Sequence, residues 1–163
     1  MAVWIVNASP LILLGKIGRL EILEELAPAL AIPAAVASEV LAGPADDPAG
    51  IWCGGERGAA FIVPDASVPP EILAWDLGAG ETAVLAAALQ EQDPICILDD
   101  RAARNCADVF RLPLLGTLGI LIRAKAAGLV PCLRPEIDRL LDAGSLLSPE
   151  IVRKALVLAS ETM

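Results

Sequence analysis

Two short runs constrain this chain most: Ala-Val-Trp-Ile-Val at residues 2–6 and Ile-Cys-Ile-Leu at 95–98 are apolar at every position, not at every second one. A strand with one wet face alternates polar and apolar residues. A run with no polar side is buried on both faces, as in a parallel sheet covered by helices. Each run is too short for a helix and is closed by polar residues, Asn7 after the first and Asp99-Asp100 after the second.

Between and after them the apolar spacing changes. Leu30 to Ile32, Ala60 to Val63 and Leu112 to Leu115 read as further short strands. Pro10 to Leu14, Ile17 to Leu26 and Pro33 to Leu41 read as helices, the last stopped by Gly43-Pro44. Pro44 to Gly58 is rich in Pro and Gly and is expected to hold one short helix, and Glu71 to Trp75 one helical turn. Gly80 opens the clearest helix, with Val84, Leu85, Ala88 and Leu89 on its apolar face. Another follows Asp100 with Ala103, Ala107 and Phe110 inward; the next starts at Gly116-Thr117, presents Leu118, Leu121 and Ile122, and is ended by Gly128. Pro135 to Asp142 and Pro149 to Ser160 are two more helices. Strands alternating with helices predict an α/β fold: a three-layer α/β/α sandwich around a parallel sheet of four or five strands.

Composition agrees. With 163 residues the chain fits one domain, and 56% hydrophobic residues with only 3% aromatics suit aliphatic helices on a buried sheet. Asn7, Ser9 and Pro10 interrupt the uncharged stretch before Lys16, which is shorter than the roughly 20 apolar residues of a membrane span. It also lacks the basic start of a secretory signal, so a cytoplasmic location is expected. There is no histidine, and the 4 cysteines form no C-x-x-C pair, which argues against zinc sites and His-based triads. A net charge of −9 argues against a broad basic face for nucleic acid. The mean hydropathy of +0.64 implies apolar surface left over for self-association, with the C-terminal helix a contributor to a homodimer.

Ligands of an open parallel sheet gather outside the carboxyl ends of its strands. Here the first strand ends in Asn7-Ala8-Ser9 and the fourth in Asp99-Asp100, with Glu81 just after Gly80 and Glu39 in the helix after Pro33. No G-x-G-x-x-G or G-x-x-x-x-G-K-[ST] loop cradles phosphate. Oxygen donors without Cys or His favour a hard ion, Mg²⁺ or Mn²⁺, set between the acids and a phosphate. Each residue also has a plainer role: Asn7, Ser9, Asp99 and Asp100 as helix caps, Glu81 as a first-turn acid suited to the helix dipole, Glu39 as a solvated side chain.

As an ordered set, five segments resemble the PIN-domain family: Val6-Asn7-Ala8-Ser9-Pro10-Leu11-Ile12, Ala35-Val36-Ala37-Ser38-Glu39-Val40, Leu77-Gly78-Ala79-Gly80-Glu81-Thr82-Ala83, Ile97-Leu98-Asp99-Asp100-Arg101-Ala102-Ala103-Arg104, and Gly116-Thr117-Leu118-Gly119-Ile120-Leu121 followed by Arg123-Ala124-Lys125. The resemblance covers about residues 2–130, implying a PIN-like domain over 1–130 and a helical extension over 131–163 packed on it. It implies metal-dependent cleavage of RNA, with Glu39, Glu81 and Asp100 as metal-holding acids and Asp99 and Asn7 completing the shell. It also puts Ser9 beside Asn7 as the neighbouring hydroxyl and makes an antitoxin a partner, as in toxins of the VapC type. With Ser9, Arg101 and Arg104 are candidate substrate contacts, the two arginines alternatively forming ion pairs within the domain. The departure is Asn7, an uncharged amide where the family has an aspartate. Oxygens of Glu39, Glu81 and Asp100 are expected within roughly 4–6 Å of one another to share an ion.

Overall fold

The computed structural model describes residues 1–161. Its five-stranded sheet is parallel throughout, in the order β3-β2-β1-β4-β5: β1 Val3–Val6, β2 Ala29–Pro33, β3 Ile62–Val63, β4 Pro94–Ile97 and β5 Leu114–Leu115. The chain builds outward from β1 to one edge through β2 and β3. It then returns to the far side of β1 to lay down β4 and β5. The strand order therefore reverses between β1 and β4, where Val3 to Val6 pair with Pro94 to Ile97.

The helices are α1 Ala8–Lys16, α2 Glu21–Leu26, α3 Ala34–Leu41, α4 Pro48–Gly54, α5 Glu56–Ala59, α6 Pro70–Leu73, α7 Ala79–Gln90, α8 Arg101–Val109, α9 Thr117–Ala126, α10 Arg134–Asp142 and α11 Pro149–Leu158. α7 lies against β1, β2 and β4 with α6 and α8 beside it, while α1, α2 and α9 pack together and α11 rests on α9. α3 touches both α1 and α7, which brings the starts of three helices to one end of the sheet. Trp4, Ile5, Val6, Cys96, Ile97 and Leu98 are buried, as runs apolar on both faces require. Residues of α10 and α11, among them Ile137, Leu140, Ala155 and Leu156, join the same core.

Several elements differ from their sequence reading. Ile17 to Leu26 is not one helix, because Gly18 takes φ 72° after α1 and only Glu21–Leu26 continues. A left-handed residue of this kind ends a helix. The Pro- and Gly-rich segment holds two helices instead of one, and Asp47 caps the first by accepting the Gly50 N–H. Leu89 is 39% exposed at the end of α7. That helix buries Gly80, Ala83, Val84, Leu85, Ala86 and Ala88, small residues that let it lie flat on the sheet. On α9 the buried face is Thr117, Ile120, Leu121 and Ala124, with Leu118 and Ile122 only half-buried.

The tail is latched by charge. Glu161 accepts hydrogen bonds from the backbone N–H groups of Leu133 and Arg134 and pairs with Lys125 Nζ at 2.8 Å. The Lys125 ammonium first, then the Leu133 N–H, hold its carboxyl down at about 2. Since this lies below the ordinary carboxylate range, the stabilisation is whole above about pH 4.5 and fades as pH falls toward 2. Glu161→Gln is expected to be less stable than the parent at pH 6, with the difference vanishing near pH 2. Urea unfolding at both pH values checks this, and a constant difference would rule the latch out.

Candidate metal centre

The crevice at the switch point between β1 and β4 is where a parallel sheet offers its ligand site. Asn7 directly follows β1, and its N–H donates to Ile97 O of β4 at 3.1 Å. Asn7 occupies the N-cap position of α1, yet its side chain makes no capping hydrogen bond. It is 2% exposed, and its Oδ1 is buried with no partner. Leaving such an oxygen unpaired costs about 1–3 kcal/mol. An Asn placed only to cap a helix would not bear that cost.

Glu39 reaches the same place from α3. Its Oε1 accepts the Gly80 N–H from the first turn of α7 at 2.8 Å. A Cβ at position 80 would stand 2.7 Å from Glu39 Oε1 and 2.9 Å from Asn7 Oδ1. The missing side chain of Gly80 therefore lets an amide oxygen and a carboxylate oxygen both close on its backbone. Asn7, Glu39, Ser9 and Glu81 line one cavity of about 310 Å³.

A larger neighbouring cavity, about 800 Å³, shares Ser9 and Glu81 and adds Asp99, Asp100, Arg104 and Thr117. Ser9 Oγ donates weakly across the crevice to Asp99 Oδ2 at 3.5 Å. Asp99 is held by α9: its Oδ1 accepts the Thr117 N–H at 2.8 Å and its Oδ2 the Thr117 hydroxyl at 2.6 Å. Asp100 instead caps α8, its Oδ2 accepting the Ala103 N–H at 3.0 Å. The Arg104 guanidinium donates to Leu98 O at 2.9 Å and, among the described residues, has no carboxylate within ion-pair distance. Arg101 is exposed and lines neither cavity.

The sequence-predicted residues thus meet at one end of the sheet, but not as a finished cage. Among the described residues no three His, Cys, Asp or Glu side chains stand close enough to hold an ion as they are. Of the expected trio of Glu39, Glu81 and Asp100, Glu39 is engaged by the Gly80 amide and Asp100 by the cap of α8. Two residues that shape the arrangement, Gly80 against Glu39 and Thr117 holding Asp99, were not among the sequence-predicted site residues. Thr117 escaped because a polar residue falls outside an apolar stripe, although its place just after β5 marks it. A divalent ion nevertheless fits the donors: all are oxygens, one is buried and unpartnered, and its residue lines a cavity of about 310 Å³ together with Glu39 and Glu81.

Fold and site together define a parallel α/β sandwich that gathers carboxylates and an amide at its switch point, without a glycine loop for phosphate. A family model described as a PIN domain matches residues 3–161, nearly the whole chain, and the protein belongs to that family. The match runs through α10 and α11. No curated protein and no solved structure matches the chain. Membership supports nuclease-type chemistry in general. No helix among the described residues is long and apolar enough to cross a membrane.

Proposed function

We propose that the protein is a Mg²⁺- or Mn²⁺-dependent endoribonuclease and the toxin of a toxin–antitoxin pair. The observation that supports this reading best is the buried, unpartnered Asn7 Oδ1, whose residue lines one cavity with Glu39 and Glu81. Asn7, Glu39 and Glu81 would hold the ion, with Asp99 and Asp100 on the neighbouring wall completing the acidic set. The ion, when bound, polarises the scissile phosphate and makes a bound water more acidic. Ser9 and Arg104 would orient the phosphate, and Arg104 is free to do so because a backbone carbonyl holds it without cancelling its charge. Arg101 would contact the strand farther out. Cleavage would leave 5′-phosphate and 3′-hydroxyl ends.

Assembly follows from the apolar surface of α11, where Ile151 is 47%, Val157 74% and Leu158 72% exposed. A homodimer through that helix, an antitoxin as further partner and a cytoplasmic home belong to this proposal. A second reading, a silent PIN-like module that binds RNA or a protein partner, is favoured by one feature, the amide at position 7 in place of a carboxylate.

Labelled single-stranded RNA incubated with Mn²⁺ separates the two readings. The parent is expected to cleave it, EDTA to abolish cleavage, and Glu39→Gln to lower the rate by roughly 100-fold, as when an electrostatic contact to the reacting charge is removed. RNA bound and left intact by the parent would favour the silent module.

A further inference from the structure

We infer that Thr117 is a positioning residue of this site and that it selects Asp99, rather than Asp100, as the acid contributed from the end of β4. The inference rests on the metal-site reading above and deepens it. Thr117 is 3% exposed and gives both of its hydrogen-bond donors to one side chain: the N–H to Asp99 Oδ1 at 2.8 Å and the hydroxyl to Asp99 Oδ2 at 2.6 Å. Two bonds to two oxygens fix the plane of the carboxylate, which one bond would leave free to turn. Each carboxylate oxygen can accept more than one bond, so Asp99 keeps acceptor capacity for an ion or its water.

Asp100 is differently placed. It is exposed, and one of its oxygens closes the first turn of α8. Backbone proximity adds a reason for Gly116, the residue before Thr117. A Cβ there would stand 3.0 Å from Asp99 Oδ1 and 3.0 Å from an Arg104 nitrogen. A bare residue at the end of β5 thus lets Asp99 and Arg104 approach closely on the wall of the larger cavity. The same device recurs at Glu39, which is aimed by the Gly80 N–H of α7. Helix starts on both sides of the crevice thus hold one acid each, Glu39 on the cavity that Asn7 lines and Asp99 on the neighbouring one, the two cavities sharing Ser9 and Glu81.

Mn²⁺ titration, read by the loss of the free-ion electron spin resonance signal, tests this on the full chain. Thr117→Val keeps the shape of the side chain and removes the hydroxyl; it is expected to weaken Mn²⁺ binding roughly tenfold, the scale of one charge-assisted hydrogen bond. Thr117→Ser restores the donor and is expected to restore affinity to within about threefold, a rescue that a packing role would not give. Asp99→Asn should weaken binding more than Asp100→Asn, since an amide still caps a helix well. Glu39→Gln serves as the control for the site itself. Should Glu39→Gln weaken binding while Thr117→Val leaves it unchanged, the site stands and the role of Thr117 falls. A parent that binds no Mn²⁺ overturns both. Asp100→Asn having the larger effect reverses the choice of acid. If Thr117→Val does not fold, Thr117→Ser and the two aspartate variants still decide the question.

Discussion

Asn7→Asp is expected to tighten Mn²⁺ binding about tenfold or more while making the metal-free protein less stable by about 1–3 kcal/mol. The two effects share a cause. Asn7 Oδ1 and Glu39 Oε1 both lie within 3 Å of the position a Gly80 Cβ would take. A carboxylate at position 7 would therefore be buried next to another carboxylate. Two like unit charges about 4 Å apart repel by about 4 kcal/mol at an effective dielectric near 20, and relaxation of the exposed Glu39 relieves much of this. A divalent ion turns the same pair into an attraction. Melting with and without Mn²⁺ checks the prediction: the variant should melt below the parent in EDTA and gain more than the parent on adding metal. Three conditions define failure: equal affinities, equal melting in EDTA, or a variant that gains nothing from the ion. Tighter binding without cleavage would instead support the silent module.

That the native residue is an amide makes chemical sense in this fold. Among the described residues neither cavity is lined by a lysine, and Arg104, the arginine that lines the larger one, is bonded to a carbonyl. Its acids are compensated by helix-start N–H groups: Gly80 for Glu39, Thr117 for Asp99, Ala103 for Asp100. Each amide supplies only a partial positive charge. A further buried carboxylate at Asn7 would have no such donor, because the α1 start makes no bond to that side chain.

How much of this was legible in the sequence depends on whether local pattern or tertiary contact decides a residue's place. The strands were legible because Val-Trp-Ile-Val and Ile-Cys-Ile-Leu have no polar side to turn to water, and the parallel sheet follows from that. Helix faces were less so: α7 is made of small residues buried on several sides, so its apolar stripe is ill defined and Leu89 was drawn into it. The candidate site residues were read from strand ends and from family resemblance; the fold sets Asn7, Ser9, Glu39 and Glu81 on one cavity and Ser9, Glu81, Asp99, Asp100 and Arg104 on its neighbour, with Arg101 outside both. Their division of labour was hidden, since nothing local distinguishes Asp99 from Asp100. Only the arrival of Thr117, 18 residues later in the chain, gives one a partner across the crevice and leaves the other to cap its own helix. Asn7 carried an opposite ambiguity. Its position before a helix suggested a cap, and only the packed structure removes that role.

Gly80→Ala is expected to separate stability from metal binding in a way few substitutions do. Gly80 lies in the first turn of α7, and its φ is not in the left-handed region, so alanine is allowed by the backbone. On helix propensity alone alanine favours the fold by about 0.5–1 kcal/mol. The new methyl, however, would stand 2.7 Å from Glu39 Oε1 and 2.9 Å from Asn7 Oδ1, both below van der Waals contact. Asn7 is short and buried and has little room to move; Glu39 is longer and exposed, so it is the one to swing away. Its hydrogen bond from the Gly80 N–H is then lost, and Glu39 is no longer aimed toward Asn7. Losing one charge-assisted hydrogen bond, about 1.5–3 kcal/mol, corresponds to roughly 10- to 100-fold in Mn²⁺ affinity, with cleavage falling in parallel. Stability in EDTA should stay within about 1 kcal/mol of the parent, because the propensity gain offsets the lost contact. Calorimetric Mn²⁺ titration beside urea unfolding in EDTA gives both numbers. Unchanged affinity would show that the Gly80 N–H does not position Glu39 for an ion, and a large loss of stability would show that the contact between Glu39 and Gly80 serves the fold instead.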